Sequence, residues 1–235
     1  MDNSKIVHHI SEKFNKELVD IHNKVLTMGG LVERQLELSI QAVVTGNMEI
    51  AELVVKRDYQ IDALEKSIDQ ECMTILTLRQ PRAFDLRLLI GVVKTIHELE
   101  RIGNKAAKVA EMAIKLFRVN NIRFNYELEH MAEMVKGMLH DVLHSFARMT
   151  LDDVSAISER DQLVDKEYDS ILRLLISRMM EDPRNITRSL EVLETIRALE
   201  RMGDHVCYIA EHLVYMINGE DLRISKLEAK VADTV

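Results

Sequence analysis

Apolar side chains recur every three or four residues along most of this chain. The first run, Ile10, Phe14, Leu18, Ile21, Val25, Met28, Val32, Leu36, Ile40 and Val43, holds one phase throughout and predicts a single long helix. Gly29-Gly30 interrupts it without shifting the phase, at a propensity cost of ~1 kcal/mol per glycine, and marks either a bend or a close helix contact. Gly46-Asn47 supplies a stop, and a second helix follows through Ile50, Leu53, Val54, Ile61, Leu64, Ile68, Cys72, Ile75 and Leu76 until Gln80-Pro81. A third carries Leu88, Leu89, Val92, Ile96, Leu99, Ala106, Val109 and Ala110 and gives out near Val119-Asn120-Asn121. The succession then begins again. Leu128 to Met149 makes a fourth helix, a turn falls at Thr150-Leu151-Asp152, Val154 to Met179 makes a fifth that ends at Glu181-Asp182-Pro183, and a sixth runs from about Asn185 to Asn218-Gly219.

The second set of three helices is a copy of the first. Aligned with an offset of one hundred residues, 94–111 and 194–211 are identical at Thr, Ile, Leu, Glu, Arg, Gly, Ala and Glu. A repeat this long fits a duplicated small domain and is too long for a solenoid. The expected architecture is all-α: two tandem pseudo-repeated three-helix bundles, with residues 1–121 as the first, 122–220 as the second and 221–235 as a short polar tail that frays.

Composition agrees with long helices. The 235 residues are 47% hydrophobic, with two Pro and eight Gly to punctuate loops, and with 13 Met and no Trp the core is aliphatic and thioether. The net charge of −8, without a run of Lys or Arg, gives no bulk attraction to a nucleic-acid backbone. No segment approaches the ~20 consecutive apolar residues of a membrane span, and Met1-Asp2-Asn3-Ser4-Lys5 lacks the regions of a signal peptide, so a cytoplasmic location is expected. Cys72 and Cys207 lie singly in apolar patterns, as buried free thiols of a reducing compartment do.

The candidate chemistry lies in repeated acidic turns. Asp58 and Asp62 in the second helix parallel Asp161 and Asp165 in the fifth, and Glu100 with Asn104 in the third parallels Glu200 with Asp204 in the sixth. Each pair sits at i and i+4, on one helix face and about one turn apart, so two helices can offer oxygens to a common point. Such an all-oxygen set suits a hard or borderline cation such as Mg²⁺, Mn²⁺, Ca²⁺ or iron, with no organic cofactor. The plain alternative is a solvated acidic face with Arg57, Arg101, Arg160 and Arg201 as ion-pair partners worth ~0–1 kcal/mol each. Gly103 and Gly203 speak against it, because glycine is costly in an exposed helix and useful where a backbone or an ion comes close. His140 and His144 are also at i and i+4, and Glu127 with His130 makes one Glu-x-x-His; a di-iron bundle with a storage or redox role needs two. No nucleophile with a neighbouring base and no phosphate-cradling loop is visible, so nothing in the sequence asks for catalysis.

Several strings, in this order and spacing, resemble the PhoU family of phosphate-transport accessory proteins: His9-Ile10-Ser11, Met28-Gly29-Gly30, Arg79-Gln80-Pro81 with Asp85-Leu86-Arg87, Glu98-Leu99-Glu100-Arg101-Ile102-Gly103, Met138 to Leu143 with Phe146-Ala147-Arg148-Met149, and Glu200-Arg201-Met202-Gly203-Asp204. The resemblance covers nearly the whole chain. It implies a cytoplasmic, non-enzymatic homodimer that couples the ATPase subunit of a phosphate ABC importer to the phosphate-sensing histidine kinase and keeps starvation signalling off when phosphate is plentiful. It also implies one metal cluster per bundle, at Asp58, Asp62, Glu100 and Asn104 in the first and at Asp161, Asp165, Glu200 and Asp204 in the second. The family pattern has Asp where this chain has Asn104, so weaker metal binding is expected in the first bundle.

Overall fold

The computed structural model describes residues 12–119 and 126–220. Among them the chain is helical: α1 (Glu12–Thr45), α2 (Met48–Arg57), α3 (Tyr59–Arg79), α4 (Phe84–Val119), α5 (Tyr126–Arg148), α6 (Val154–Glu181) and α7 (Ile186–Asn218), with a short 3-10 turn at Pro183–Asn185. The expected boundary at 121/122 and the expected fraying of the tail both fall outside the described residues.

Each stop has a local cause. Gly46 turns the chain at φ 72°, and Asn47 then caps α2 by accepting the Glu49 and Ile50 amides at 3.0 and 3.2 Å. Before Pro81 the chain leaves α3 through Gln80 in the left-handed region at φ 46°. Gly219, at φ 81°, closes α7 by donating its amide to the Tyr215 carbonyl.

The expected second helix is two segments, because Asp58 interrupts it between α2 and α3. Its counterpart α6 runs unbroken through Asp161. The Asp58 backbone itself stays in the right-handed helical region, at φ −52° and ψ −39°, and what differs between the halves is the side chain behind it. Gln35, buried in α1, donates from Nε2 to Asp58 Oδ1 at 2.6 Å and to the Gly103 carbonyl at 3.1 Å. In the second half Met138 takes that place, with its Cε beside Gly203.

α1, α2–α3 and α4 pack as one three-helix unit, and α5, α6 and α7 as another. The halves meet along α4 against α7 and α1 against α5. α4 and α7 run antiparallel, since Gly91 meets Met216 while Glu98 meets His205. At Gly91 a Cβ would stand 2.1 Å from Met216 Cγ, and at Gly29 one would stand 2.5 Å from Leu143 Cδ2. Gly29 therefore marks a close helix contact rather than a bend, whereas Gly30 has nothing within 4 Å.

The apolar stripe of α1 is buried from Phe14 to Val43 as the spacing predicts. One continuous cluster joins it to Leu89, Ile96 and Leu99 of α4, Met131, Val135 and Phe146 of α5, and Leu199, Val206 and Leu213 of α7. At ~1.5–3 kcal/mol for each large apolar side chain removed from water, this shared core, rather than a pair of separate ones, holds the molecule together.

Candidate functional site

In the second half the four predicted residues are brought together. Asp161 and Asp165 on α6 face Glu200 and Asp204 on α7. Burial holds the Glu200 carboxyl above the usual range, and the nearby charges of Asp204, Asp165 and Asp161 add to it against the opposing pull of Arg201. Asp165 is pushed the same way by burial, then by Asp204 and Asp169. Arg201 supplies a counter-charge, with Nη1 3.0 Å from Asp204 Oδ2 and Nε 3.4 Å from Glu200 Oε2. Gly203 makes the close approach possible: a Cβ there would lie 2.9 Å from Asp161 Oδ1.

In the first half the corresponding residues divide. Asp58 is half-buried beside Gln35, and its pKa is raised first by burial and then by Asp62 and Glu111, with the Gln35 hydrogen bond opposing. Asp62 Oδ1 is buried without a hydrogen-bond partner. Glu100 instead accepts from its own neighbour, Asn104 Nδ2, at 2.5 Å. Gly103 receives Ile61, whose Cδ1 would lie 2.9 Å from a Cβ there. The amide at 104 thus acts as a donor toward the glutamate it was expected to assist.

Three further acids belong to these faces. Glu65 is raised by burial, then by Asp69 and by Glu100, and Glu111 lies within the field of Asp58. The signal for Glu65 and Asp69 was legible: Asp58, Asp62, Glu65 and Asp69 step by four, three and four, which is one continuous stripe of a helix.

Among the described residues no group of three or more His, Cys, Asp or Glu side chains closes tightly enough on one point to hold a metal ion. The second-half carboxylates share a field but keep Arg201 in the counter-charge position. The donor set still fits a hard cation: four carboxylates in the second half, and in the first a buried carboxylate oxygen, Asp62 Oδ1, with no donor.

The histidines do not gather. His140 Nδ1 is 2.8 Å from Glu33, His144 Nδ1 3.6 Å from Asp153 and His130 Nδ1 3.8 Å from Glu167, each a different carboxylate. The Glu127 side chain lies outside the described residues. Cys72 is buried, and burial with the nearby Asp69 and Glu71 charges pushes its thiol up to about 12, which leaves it unreactive at neutral pH.

The duplicated hairpins with their matched acidic turns have a counterpart among known proteins. The family model for the PhoU domain matches twice, at residues 25–113 and 128–213. The chain belongs to the PhoU family. It is 40% identical over 234 residues to the phosphate-specific transport system accessory protein PhoU homolog of Pseudomonas putida, covering 99% of this chain and 91% of that one. To the accessory protein PhoU of Escherichia coli K12 it is 41% identical over 223 residues, covering 95% and 92%. The crystal structure of PhoU from Pseudomonas aeruginosa superposes with a TM-score of 0.85 at 42% identity, covering 88% of this chain and all of that one. That of the phosphate transport system regulatory protein PhoU from Streptococcus pneumoniae gives 0.82 at 28% identity, covering 88% and 98%. The names describe accessory and regulatory proteins of phosphate-specific transport, and the family places this chain in a regulatory role there. Among the described residues no helix is long and apolar enough to cross a membrane.

Proposed function

We propose that this chain is a cytoplasmic adaptor that couples the ATPase subunit of a phosphate ABC importer to the phosphate-sensing histidine kinase and holds starvation signalling off while phosphate is plentiful. The observation that supports it most is the match over nearly the full length, in both sequence and fold, to phosphate-transport accessory proteins. The work is done by surfaces, and the working unit is a homodimer. Deleting the gene and following a phosphate-starvation reporter in phosphate-rich medium tests the adaptor role. Derepression is the expected result, and a reporter that stays off overturns the reading.

A divalent metal or iron belongs to the same proposal. Asp161, Asp165, Glu200 and Asp204 hold it in the second half, and Asp58, Asp62, Glu100 and Asn104 hold it more weakly in the first. Burial raises Glu200 and Asp165 first, and a bound cation would relieve the repulsion between carboxylates that adds to it. Calorimetric titration with Mn²⁺ should show a tighter and a weaker site. E200A/D204A should remove the tighter one; two equal sites, or none, refute the assignment.

A further inference from the structure

Between α1 and the α2–α3 helix lies a pocket of about 50 Å³, with apolar walls that include Leu31 and Leu38 and with Arg34, Arg57 and Gln60 as its donors. A water needs about 10–15 Å³ of such space, so a group of about three or four heavy atoms fits. Gln35 lines the pocket as well, but both its amide hydrogens are taken, by Asp58 Oδ1 and the Gly103 carbonyl. Among the described residues no Asp or Glu lines this pocket, and Arg57 has neither a hydrogen bond nor an ion pair. Its helical neighbours one turn away on either side, Leu53, Val54, Gln60 and Ile61, are uncharged.

The second half has the same arginine with its partner built in. At an offset of 103 residues Arg57, Asp58 and Asp62 become Arg160, Asp161 and Asp165, while Val32, Gln35, Leu36 and Leu38 become Val135, Met138, Leu139 and Asp141. There Arg160 donates from Nη1 to Asp141 Oδ2 at 2.6 Å, and its side chain is only 33% exposed. It lies over Gly137, where a Cβ would stand 3.1 Å from Nη1. In the first half Leu38 stands for Asp141 and Arg34 for Gly137, so the carboxylate is gone and a second guanidinium has come in. The acid nearest in sequence on α1, Glu37, is paired with Arg34 and lies 3.8 Å from Lys136 of α5. Asp58 does not fill the role either: Gln35 holds it, and Arg160 likewise takes Asp141 although Asp161 follows it in the chain.

We propose that this pocket binds a carboxylate supplied from outside the chain, received by the guanidinium fork of Arg57 with Arg34 and Gln60 beside it, at the place where the second half uses its own Asp141. A carboxylate together with the methylene that carries it is the size the pocket takes, and the apolar walls suit the methylene. Inorganic phosphate is larger and brings more charge against Leu31 and Leu38, which offer it no hydrogen bond. The carboxylate comes either from an acidic side chain of another protein or from a small free acid. Neither the adaptor role nor the metal sites enter into this site, which needs no importer, kinase or cation.

The test follows the Nε–H signals of Arg57 and Arg160 and the side-chain amide of Gln60 by NMR of the full chain. Acetate, a short blocked peptide with one glutamate between leucines, its glutamine counterpart and inorganic phosphate are added in turn at constant ionic strength. Arg57 and Gln60 should move saturably with acetate and with the glutamate peptide, while Arg160, already paired, stays in place. Tighter binding of the peptide than of acetate marks a protein side chain as the source, and equal binding marks a free acid. R57Q, at an exposed position, should abolish the Gln60 response. L38D, which gives the first half the carboxylate of the second, should weaken binding at least about tenfold. D141L performs the reverse exchange at a position 32% exposed and should make Arg160 respond, giving the chain a second site. Should L38D fail to fold, R57Q and D141L still decide the matter. The proposal is overturned by an Arg57 that does not move, by equal movement with the glutamine peptide, or by phosphate binding more tightly than either carboxylate. It is overturned equally by an Arg57 signal already at the paired position in the unliganded protein, by an unchanged Gln60 response in R57Q, or by an Arg160 that stays silent in D141L.

Discussion

At the scale of single residues, protons are the sharpest probe. His22 stacks on Phe146 at 5.1 Å and donates from Nε2 to the Phe146 carbonyl at 3.2 Å, which leaves Nδ1 buried without a partner. Protonating Nδ1 would create a buried donor with nothing to accept it, and burial accordingly lowers the His22 pKa, against the opposing effect of that backbone bond. The folded state therefore binds fewer protons than the unfolded chain, and stability declines as pH falls through the unfolded value near 6.5. Glu200 has the opposite sign. Its raised pKa makes the ionised form a burden above the unfolded carboxylate range, and protonation relieves it. H22F should flatten the fall in melting temperature between about pH 7 and pH 5. E200Q should stabilise the protein at pH 7 by under about 1 kcal/mol, a gain that disappears toward pH 4. Thermal melts across that range check both, and an E200Q chain that loses stability at pH 7 would show that Arg201 outweighs the acidic neighbours.

Gln35 holds Asp58 in the first half, at the place Met138 takes in the second. Gln35→Met copies the second-half arrangement and withdraws the donor from Asp58, so the Asp58 pKa should rise further and stability should drop by about 1–3 kcal/mol. Carboxyl-carbon NMR titration and urea denaturation read the two effects. An Asp58 pKa that falls would mean that burial, not the lost hydrogen bond, had changed.

At the scale of elements, the periodicity of the sequence accounts for nearly everything except the break at Asp58. Apolar spacing specifies α1, α4, α5, α6 and α7 because a buried stripe repeats every turn, and the caps at Asn47 and Gly219 are local. Asp58 has a partner that periodicity does not reveal, since Gln35 donates to it from 23 residues away. The acidic turns were legible in the same uneven way. Their i, i+4 spacing puts both oxygens on one face, but whether two helices meet at that face depends on what packs behind it. Met138 lies behind the second seam, whereas Gln35 behind the first donates a hydrogen bond to Asp58.

The glycines at helix contacts give the element-scale prediction. Gly91→Ala sets a Cβ 2.1 Å from Met216 Cγ, too near the root of that side chain for a simple rotation to clear it, and should cost about 1–3 kcal/mol. Gly30→Ala, with nothing within 4 Å, should instead gain up to about 1 kcal/mol from helix propensity. Urea denaturation separates the two, and equal effects would place Gly91 outside the α4–α7 contact.

At the scale of the whole molecule, the duplication did not produce two independent bodies. Each half exposes to the other the face that a solitary three-helix bundle would have to cover with polar residues. The faces are joined by apolar packing, by His22 on Phe146 between α1 and α5, and by His205 Nδ1 donating to Glu98 Oε2 at 2.7 Å between α4 and α7. Burial tends to raise Glu98, but the bond and charge of His205, with His212 and Arg101, hold it below the usual range. Its contribution is thus complete at neutral pH and is lost as pH falls through the folded value. A half that opened alone would strand the apolar faces of both α4 and α7, which opposes separation of folded halves. Urea denaturation followed by one fluorophore on α2 and another on α6 should therefore give coincident transitions. H205A should shift both to lower urea by the same amount, because it weakens the seam that the halves share. If the α6 probe moved while the α2 probe stayed, the halves would be separate folding units and the continuous core would not be what couples them.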